Sequence, residues 1–182
     1  MLKNRFVILY FIRVCLLSKS SNENLLLVKT KIAPSHIHGI GLFADDFIPK
    51  GTLIWQFTPG FDLKFTRQQI LDFPDLLQIY IYKYSWRSKT SRLYCFSSDN
   101  GKYFNHSNHP NCLSEYRNSK DEVVTTAIRD IQKDEEMTDN YSSFEDDKSE
   151  GNVLDDIVRR FHLQDEIDPR YKSDPKREGP TI

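Results

Sequence analysis

A surplus of charge of either sign is missing from this chain. Lys and Arg number 25 against 26 Asp and Glu, for a formal net charge of −1. That balance removes the electrostatic footprint expected of a direct nucleic-acid binder. Cysteine is scarce. Cys15, Cys95 and Cys112 are odd in number and widely spaced, which excludes a disulfide framework and suits a reducing compartment. Long apolar runs are missing too. Phe6–Ile12 is broken by Arg13 and is too short to span a bilayer as a helix, so no membrane partner is expected. Behind Lys3 and Arg5 that run has the basic start and apolar centre of a targeting leader, but no small-x-small cleavage site follows. An extra helix or strand, or an extension upstream of the true start, are the other readings. There is no internal repeat and no low-complexity tract. What is abundant is aromatic residues, 13% of the total, more than a disordered chain carries.

The chain divides into an N-terminal extension over residues 1–24, one domain over 25–145, and a C-terminal helix with a charged tail over 146–182. Leu25–Ile32, Leu42–Ala44, Thr52–Phe57, Arg92–Phe96 and Val123–Ile128 read as strands, being rich in β-branched and aromatic residues between turn signals. Thr66 suits the N-cap of a helix over about Arg67–Phe73. Pro74 interrupts it, and Leu76–Tyr84 is either helical or extended. Ser98–Gly101 reads as a tight turn. Val153, Leu154, Ile157, Val158 and Phe161 share one helical face. Many short strands, few helices and frequent turns make a mainly β domain.

Three segments carry residue types with chemical use. Gly39 and Gly41 allow close approach of backbone to a ligand, or simply an ordinary loop before a strand. Asn105-His106-Ser107-Asn108-His109-Pro110-Asn111 is a polar knot. Asn105 offers a donor and an acceptor together, as an adenine edge needs. The same stretch also reads as a turn, as a glycosylation acceptor, or as part of a zinc set of His106, His109, Cys112 and Cys95, though the spacing matches no finger pattern. Tyr141 closes the third segment, where a core tyrosine is the alternative. Adjacent Glu135 and Glu136 on an extended segment point to opposite faces, which argues against paired acid–base work.

In order, Ile37–Ala44 with Ile48-Pro49-Lys50-Gly51, Lys102–Asn111, and Ala127–Tyr141 resemble successive motifs of the SET-domain protein-lysine methyltransferases. The likeness is to the compact microbial form without cysteine-rich flanking modules and covers roughly residues 25–145. It implies a SET (β-clip) fold of several small sheets, with knot-like threading of the last two motifs and few short helices. It implies methyl transfer from S-adenosyl-L-methionine to a lysine amine. Main-chain groups of His38, Gly39 and Ile40 would hold the methionine part of the cofactor, and Asn105 and His106 its adenine and methionine ends. Tyr141 would be the catalytic tyrosine, its hydroxyl beside both the transferred methyl and the amine.

The departures from the pattern matter. Phe57 or Thr58 stands where the family often has a tyrosine, and Ser114 near a frequent aromatic, so the number of methyls transferred is not fixed. No Cys-x-Cys follows Tyr141, so no zinc-bound flap and no metal is expected. The channel is expected from Phe57, Thr58 and Ser114, closed by Phe144 and by the last helix through Phe161. Gln56, Asp62 and Leu71–Trp86 are the expected substrate groove. The implied partner is a basic lysine-bearing protein segment, of histone or other origin. A non-catalytic SET-like module that binds basic segments is the alternative. The expected location is the cytoplasm, with secretion into a host or entry into a nucleus as the other options.

Overall fold

Strand pairing in three small sheets organises the protein. The structure, a computed structural model, describes residues 26–118, 122–146 and 151–163. The expected extension over 1–24, with Cys15, and the charged tail beyond Leu163 lie outside the described residues. In chain order the strands are β1 (Thr30–Pro34), β2 (Ile40–Ala44), β3 (Leu53–Gln56), β4 (Leu63–Phe65), β5 (Ser85–Arg87), β6 (Tyr94–Phe96), β7 (Asn105–His106), β8 (Cys112–Tyr116), β9 (Val123–Ala127) and β10 (Glu136–Asp139). The helices are α1 (Arg67–Leu71), α2 (Asp75–Tyr84) and α3 (Val153–Phe161), with short 3-10 turns at Asn100–Tyr103 and Tyr141–Ser143.

One sheet runs β1-β2-β10-β7, another β3-β9-β8, and the third β4-β6-β5. All pairings are antiparallel except β10 with β7, which runs parallel and sets Thr138 opposite Asn105 and Asp139 opposite His106. Alternation decides the faces: in β9, Val123, Thr125 and Ala127 point inward while Val124 and Thr126 are half-buried. Of the expected strand over Leu25–Ile32, residue 25 lies outside the described residues and only Thr30–Ile32 fall in a named strand. Leu26 makes an isolated bridge to Trp55, and β1 starts only at Thr30, because β2 offers partners to Thr30–Pro34 alone.

Local chemistry explains the helices. Thr66 and Gln69 form a reciprocal capping box, Gln69 N–H donating to Thr66 Oγ1 at 3.2 Å and Thr66 N–H to Gln69 Oε1 at 2.8 Å. Pro74 then precedes α2, where a missing N–H loses nothing, and the segment after it is helical. Asn152 caps α3 by accepting from Leu154 N–H at 3.1 Å. The Ser98–Gly101 turn continues into a 3-10 turn that Asp99 caps through Gly101 N–H at 2.7 Å.

Two cores result. Leu42, Ile54, Trp55, Phe104, Cys112, Ile131, Met137 and Phe144 belong to the first. Ile70, Ile81, Tyr94, Phe96, Val153, Leu154 and Ile157 form the second. Val153 N–H also donates to the buried Tyr94 hydroxyl at 2.8 Å. The packed body therefore continues past residue 145, the expected domain end, because α3 supplies three fully buried side chains to the second core. Tyr84 packs against the second core and Trp86 against the first.

Candidate active site

The loop from Ser35 to Gly41 is tied at its neck. Ser35 N–H donates to Gly39 O at 2.9 Å, and Ser35 Oγ accepts from Ile37 N–H at 2.8 Å. Gly39 sits at φ +49°, a left-handed conformation that favours glycine. At Gly41 the need is spatial: a Cβ there would lie 2.3 Å from Glu136 Oε1. That carboxylate is a crossing point. It accepts from Ser35 Oγ at 2.8 Å and from Asn105 Nδ2 at 2.8 Å. Asn105 Nδ2 also reaches the carbonyls of His38, at 3.1 Å, and Ile40, at 3.4 Å. One buried amide thus joins the glycine loop, the Asn-His segment and the Glu-Glu segment.

Asn111 makes a second stitch. Its Nδ2 donates to Glu136 O at 2.8 Å and Glu135 Oε1 at 3.0 Å, and its Oδ1 accepts from Thr138 N–H at 2.8 Å. Sequence reasoning placed Asn111 in the motif but assigned it no task.

Two cavities flank this junction. A cleft of about 320 Å³ is lined by His38, Gly39, Ile40, Tyr82, Tyr103 and Asn105, with Leu163 from beyond α3. A smaller cavity, the channel, of about 70 Å³ is lined by Trp55, Trp86 and Phe144 together with the polar Ser85, Ser97, Ser114, Thr125 and Asp139. Tyr84, Phe104 and Tyr141, with Lys83 and Lys102, line both. Tyr141 is fixed at both ends: its N–H donates to His106 Nδ1 at 3.3 Å, and its hydroxyl donates to Phe104 O.

Asp139 is the one carboxylate in the channel lining. Burial pushes it up from 3.8 to about 6, against the pull of hydrogen bonds from the Ser114 hydroxyl, Ser114 N–H and Asn140 N–H. Burial also holds the Cys95 and Cys112 thiols well above the usual range, so neither is an available nucleophile. Among the described residues no group of His, Cys, Asp and Glu side chains is set to hold a metal ion.

The structure brings His38, Gly39, Ile40, Asn105 and Tyr141 to the cleft, and Ser114 and Phe144 to the channel. His106 lines neither, since its ring nitrogens engage Tyr141 and Asn108. Phe57, Thr58 and Phe161, expected in the channel, lie outside its lining. Phe57 packs against the first core with Lys64 Nζ 4.9 Å from its ring centroid, because β3 ends at Gln56 and the chain turns away. Thr58 N–H is taken by Asp62 Oδ2 at 2.8 Å in the turn before β4. Phe161 packs on the second core. Asp62 is not a groove carboxylate: it is 4% exposed and holds Thr58 and Ser98 N–H groups. Tyr84 and Trp86, inside the segment expected as the substrate groove, line the channel, whereas Trp55 and Asp139 line it with no role assigned by sequence reasoning.

A β-rich domain of three small sheets, with two cavities that share Tyr84, Phe104 and Tyr141, is the class that the fold and site define. The profile of the SET domain matches residues 39–142, more than half of the chain, and the chain belongs to the SET-domain family. The chain is similar to several solved structures. A candidate histone methyltransferase of Plasmodium falciparum is 22% identical with a TM-score of 0.46, over 64% of this chain and 95% of that one. Polycomb Repressive Complex 2 of Chaetomium thermophilum, autoinhibited and bound to S-adenosylmethionine, gives 20% identity and a TM-score of 0.50 over 76% of this chain. A humanized mutant of that complex bound to an inhibitor gives 19% and 0.50 over 72% of this chain. This chain spans 16% and 17% of the length of those two Polycomb chains. No curated protein matches the chain by sequence.

Proposed function

We propose that the protein is an S-adenosylmethionine-dependent methyltransferase acting on a lysine amine of a protein substrate. The observation that carries this reading is the shared wall: cleft and channel meet at Tyr84, Phe104 and Tyr141. A donor in one cavity and an acceptor in the other would face each other there, as an in-line displacement requires.

The cleft fits the cofactor by size and by lining. Its volume lies at the lower edge of the range for small-molecule sites. Tyr82, Tyr84 and Tyr103 offer ring faces to a purine or a sulfonium, and Lys83 and Lys102 offer charge to a carboxylate. When bound, the cofactor supplies an electrophilic methyl carbon on sulfur. The chain's own part is positioning and exclusion. Main-chain groups at His38–Ile40, braced by Asn105, would hold the amino-acid portion. Aromatic walls would keep water from the amine and favour its neutral form. Tyr141, held by His106 and Phe104 O, would orient the amine along the displacement axis. Basic, lysine-bearing segments are the proposed substrates.

Radiolabelled S-adenosylmethionine with a panel of basic proteins tests this. Label on lysine with the wild type, reduced about a hundredfold or more in Tyr141→Phe, is the expected result. No label on any substrate, together with no calorimetric binding of the cofactor, would instead favour a non-catalytic reader of basic segments.

A further inference from the structure

The methyltransferase reading uses Tyr141 but leaves open what holds the stretch that follows it. Residues Tyr141–Asp146 form a strap along the channel. Tyr141 opens the strap, and Phe144 gives its ring to the channel lining, 5.9 Å from the rings of both Tyr141 and Trp86. On one side the strap meets β8, where Ser143 Oγ lies 2.7 Å from Ser114 O. On the other side it meets the turn between β5 and β6. There Asp146 N–H donates to Arg87 O at 2.9 Å, Glu145 bridges to Ser88, and Arg92 pairs with the Asp146 carboxylate. Lys89 reaches furthest across: its Nζ donates to the carbonyls of Ser142 and Ser143, both at 3.0 Å. The Tyr116 hydroxyl, at the end of β8, completes the link. It accepts from Lys89 N–H at 2.9 Å and donates to Phe144 O at 2.8 Å, so one oxygen joins the turn to the strap. Neither Lys89 nor Tyr116 lines either cavity. The turn itself is well anchored. Ser88 is fully buried, its N–H donates to Leu93 O at 2.9 Å, and its Oγ accepts from Thr90 N–H at 3.2 Å and Ser91 N–H at 3.1 Å.

We propose that Lys89 and Tyr116 are positioning residues, a clasp that holds the strap to the β5–β6 turn and so fixes Tyr141 and Phe144 at the channel. The proposal takes its chemistry from the methyltransferase reading and its mechanics from these contacts alone. The 3-10 turn at Tyr141–Ser143 is three residues long, too short to hold its own shape. Its last carbonyls need partners from outside, and a lysine at such an end supplies them. Lys89 is exposed, so water competes for its bonds and their loss should barely move global stability. Position is the more sensitive quantity. A shift of about 1 Å in a group that orients the amine can cost about a hundredfold in rate. The clasp therefore matters for local opening of the strap far more than for unfolding of the domain.

The two tryptophans of the chain, Trp55 and Trp86, both line the channel, so acrylamide quenching of intrinsic fluorescence reports how open it is. Wild type, Tyr116→Phe, Lys89→Met and Lys89→Arg are compared. Quenching should be about twofold steeper in Tyr116→Phe and Lys89→Met. Lys89→Arg should stay close to wild type, because a guanidinium can donate to the same two carbonyls. With radiolabelled S-adenosylmethionine, kcat should fall about tenfold in Tyr116→Phe and Lys89→Met, while the calorimetric Kd for the cofactor stays within about twofold. A merely structural role would lower the melting temperature and leave quenching of the folded protein as it was. Unchanged quenching in folded Tyr116→Phe and Lys89→Met overturns the proposal. So does steeper quenching with undiminished transfer, or a loss in Lys89→Arg equal to that in Lys89→Met. If Tyr116→Phe does not melt cooperatively, Lys89→Met, at an exposed site, decides alone. Quenching needs no turnover. A protein whose channel opens in these variants but whose wild type never transfers a methyl refutes the methyltransferase reading only. One that transfers methyl with quenching unmoved by either variant refutes the clasp only.

Discussion

The backbone N–H of Tyr141 donates to Nδ1 of His106 across 35 residues of sequence, at 3.3 Å. Because Nδ1 must accept, the imidazole proton belongs on Nε2, which lies 3.2 Å from Asn108 Oδ1. The two rings also stand 5.4 Å apart, tilted by 57°. His106 lines neither cavity, yet it sets where the tyrosine begins. His106→Asn keeps an acceptor of similar reach, and His106→Ala does not. Methyl transfer should therefore survive largely in the Asn variant and fall about tenfold or more in the Ala variant, with similar melting temperatures. Equal activities in the two variants would show that the bond does not position Tyr141.

Asp139 makes stability depend on pH in an unusual direction. Its folded-state value of about 6 lies above the ordinary 3.8, so the folded protein holds the proton more tightly. The favourable contribution is complete below the unfolded value and is lost as pH rises from about 4 through 6, roughly 3 kcal/mol in all. Asp139→Asn cannot ionise. The melting temperature of the variant relative to wild type should rise between pH 4 and pH 7. A difference that is flat over that interval contradicts the shift.

Asn105 is the amide that joins the three motif segments. Asn105→Ala leaves two carbonyls and a carboxylate short of a donor. It should lower stability by about 1–3 kcal/mol and weaken cofactor binding by more than tenfold in calorimetry. Intact cofactor affinity in a folded variant would detach the glycine loop from the cleft.

The C-terminal helix is a core element rather than a lid. Ile157 is 1% exposed in the second core. Ile157→Ala should cost about 2–5 kcal/mol in chemical denaturation. Phe161→Ala, at the half-buried edge, should cost less and leave methyl transfer unchanged. A larger effect on methyl transfer than on stability would restore Phe161 as the channel's cover.

Short-range signals were legible in the sequence. Thr66 with Gln69 marked a helix start, Pro74 marked a break, and the helical face of Val153, Leu154 and Ile157 marked an amphipathic helix. The three motifs carried the family. The channel was harder to read, because its walls come from β3, β5, β8, β9 and β10 and meet only through tertiary packing. Phe57 and Thr58 sit one and two residues beyond β3, and a small change in where a strand ends moves a side chain off the channel. Asp139 was hidden by its type: a carboxylate in a polar motif reads as solvated until burial is known. Phe161 belonged to the predicted apolar face, but periodicity cannot say which cavity that face covers.

The space at Gly41 and the carboxylate of Glu136 are two halves of one fit, since any Cβ at 41 would meet Oε1 at 2.3 Å. Glu136 cannot retreat without releasing Ser35 and Asn105. Positions 41 and 136 should therefore evolve as a pair. A homologue with a side chain at the first should carry a shorter residue at the second. Its asparagine at the position of 105 should then have found another acceptor. The lineage's sequence record would thus carry a trace of this single steric contact, readable by anyone who aligns those columns.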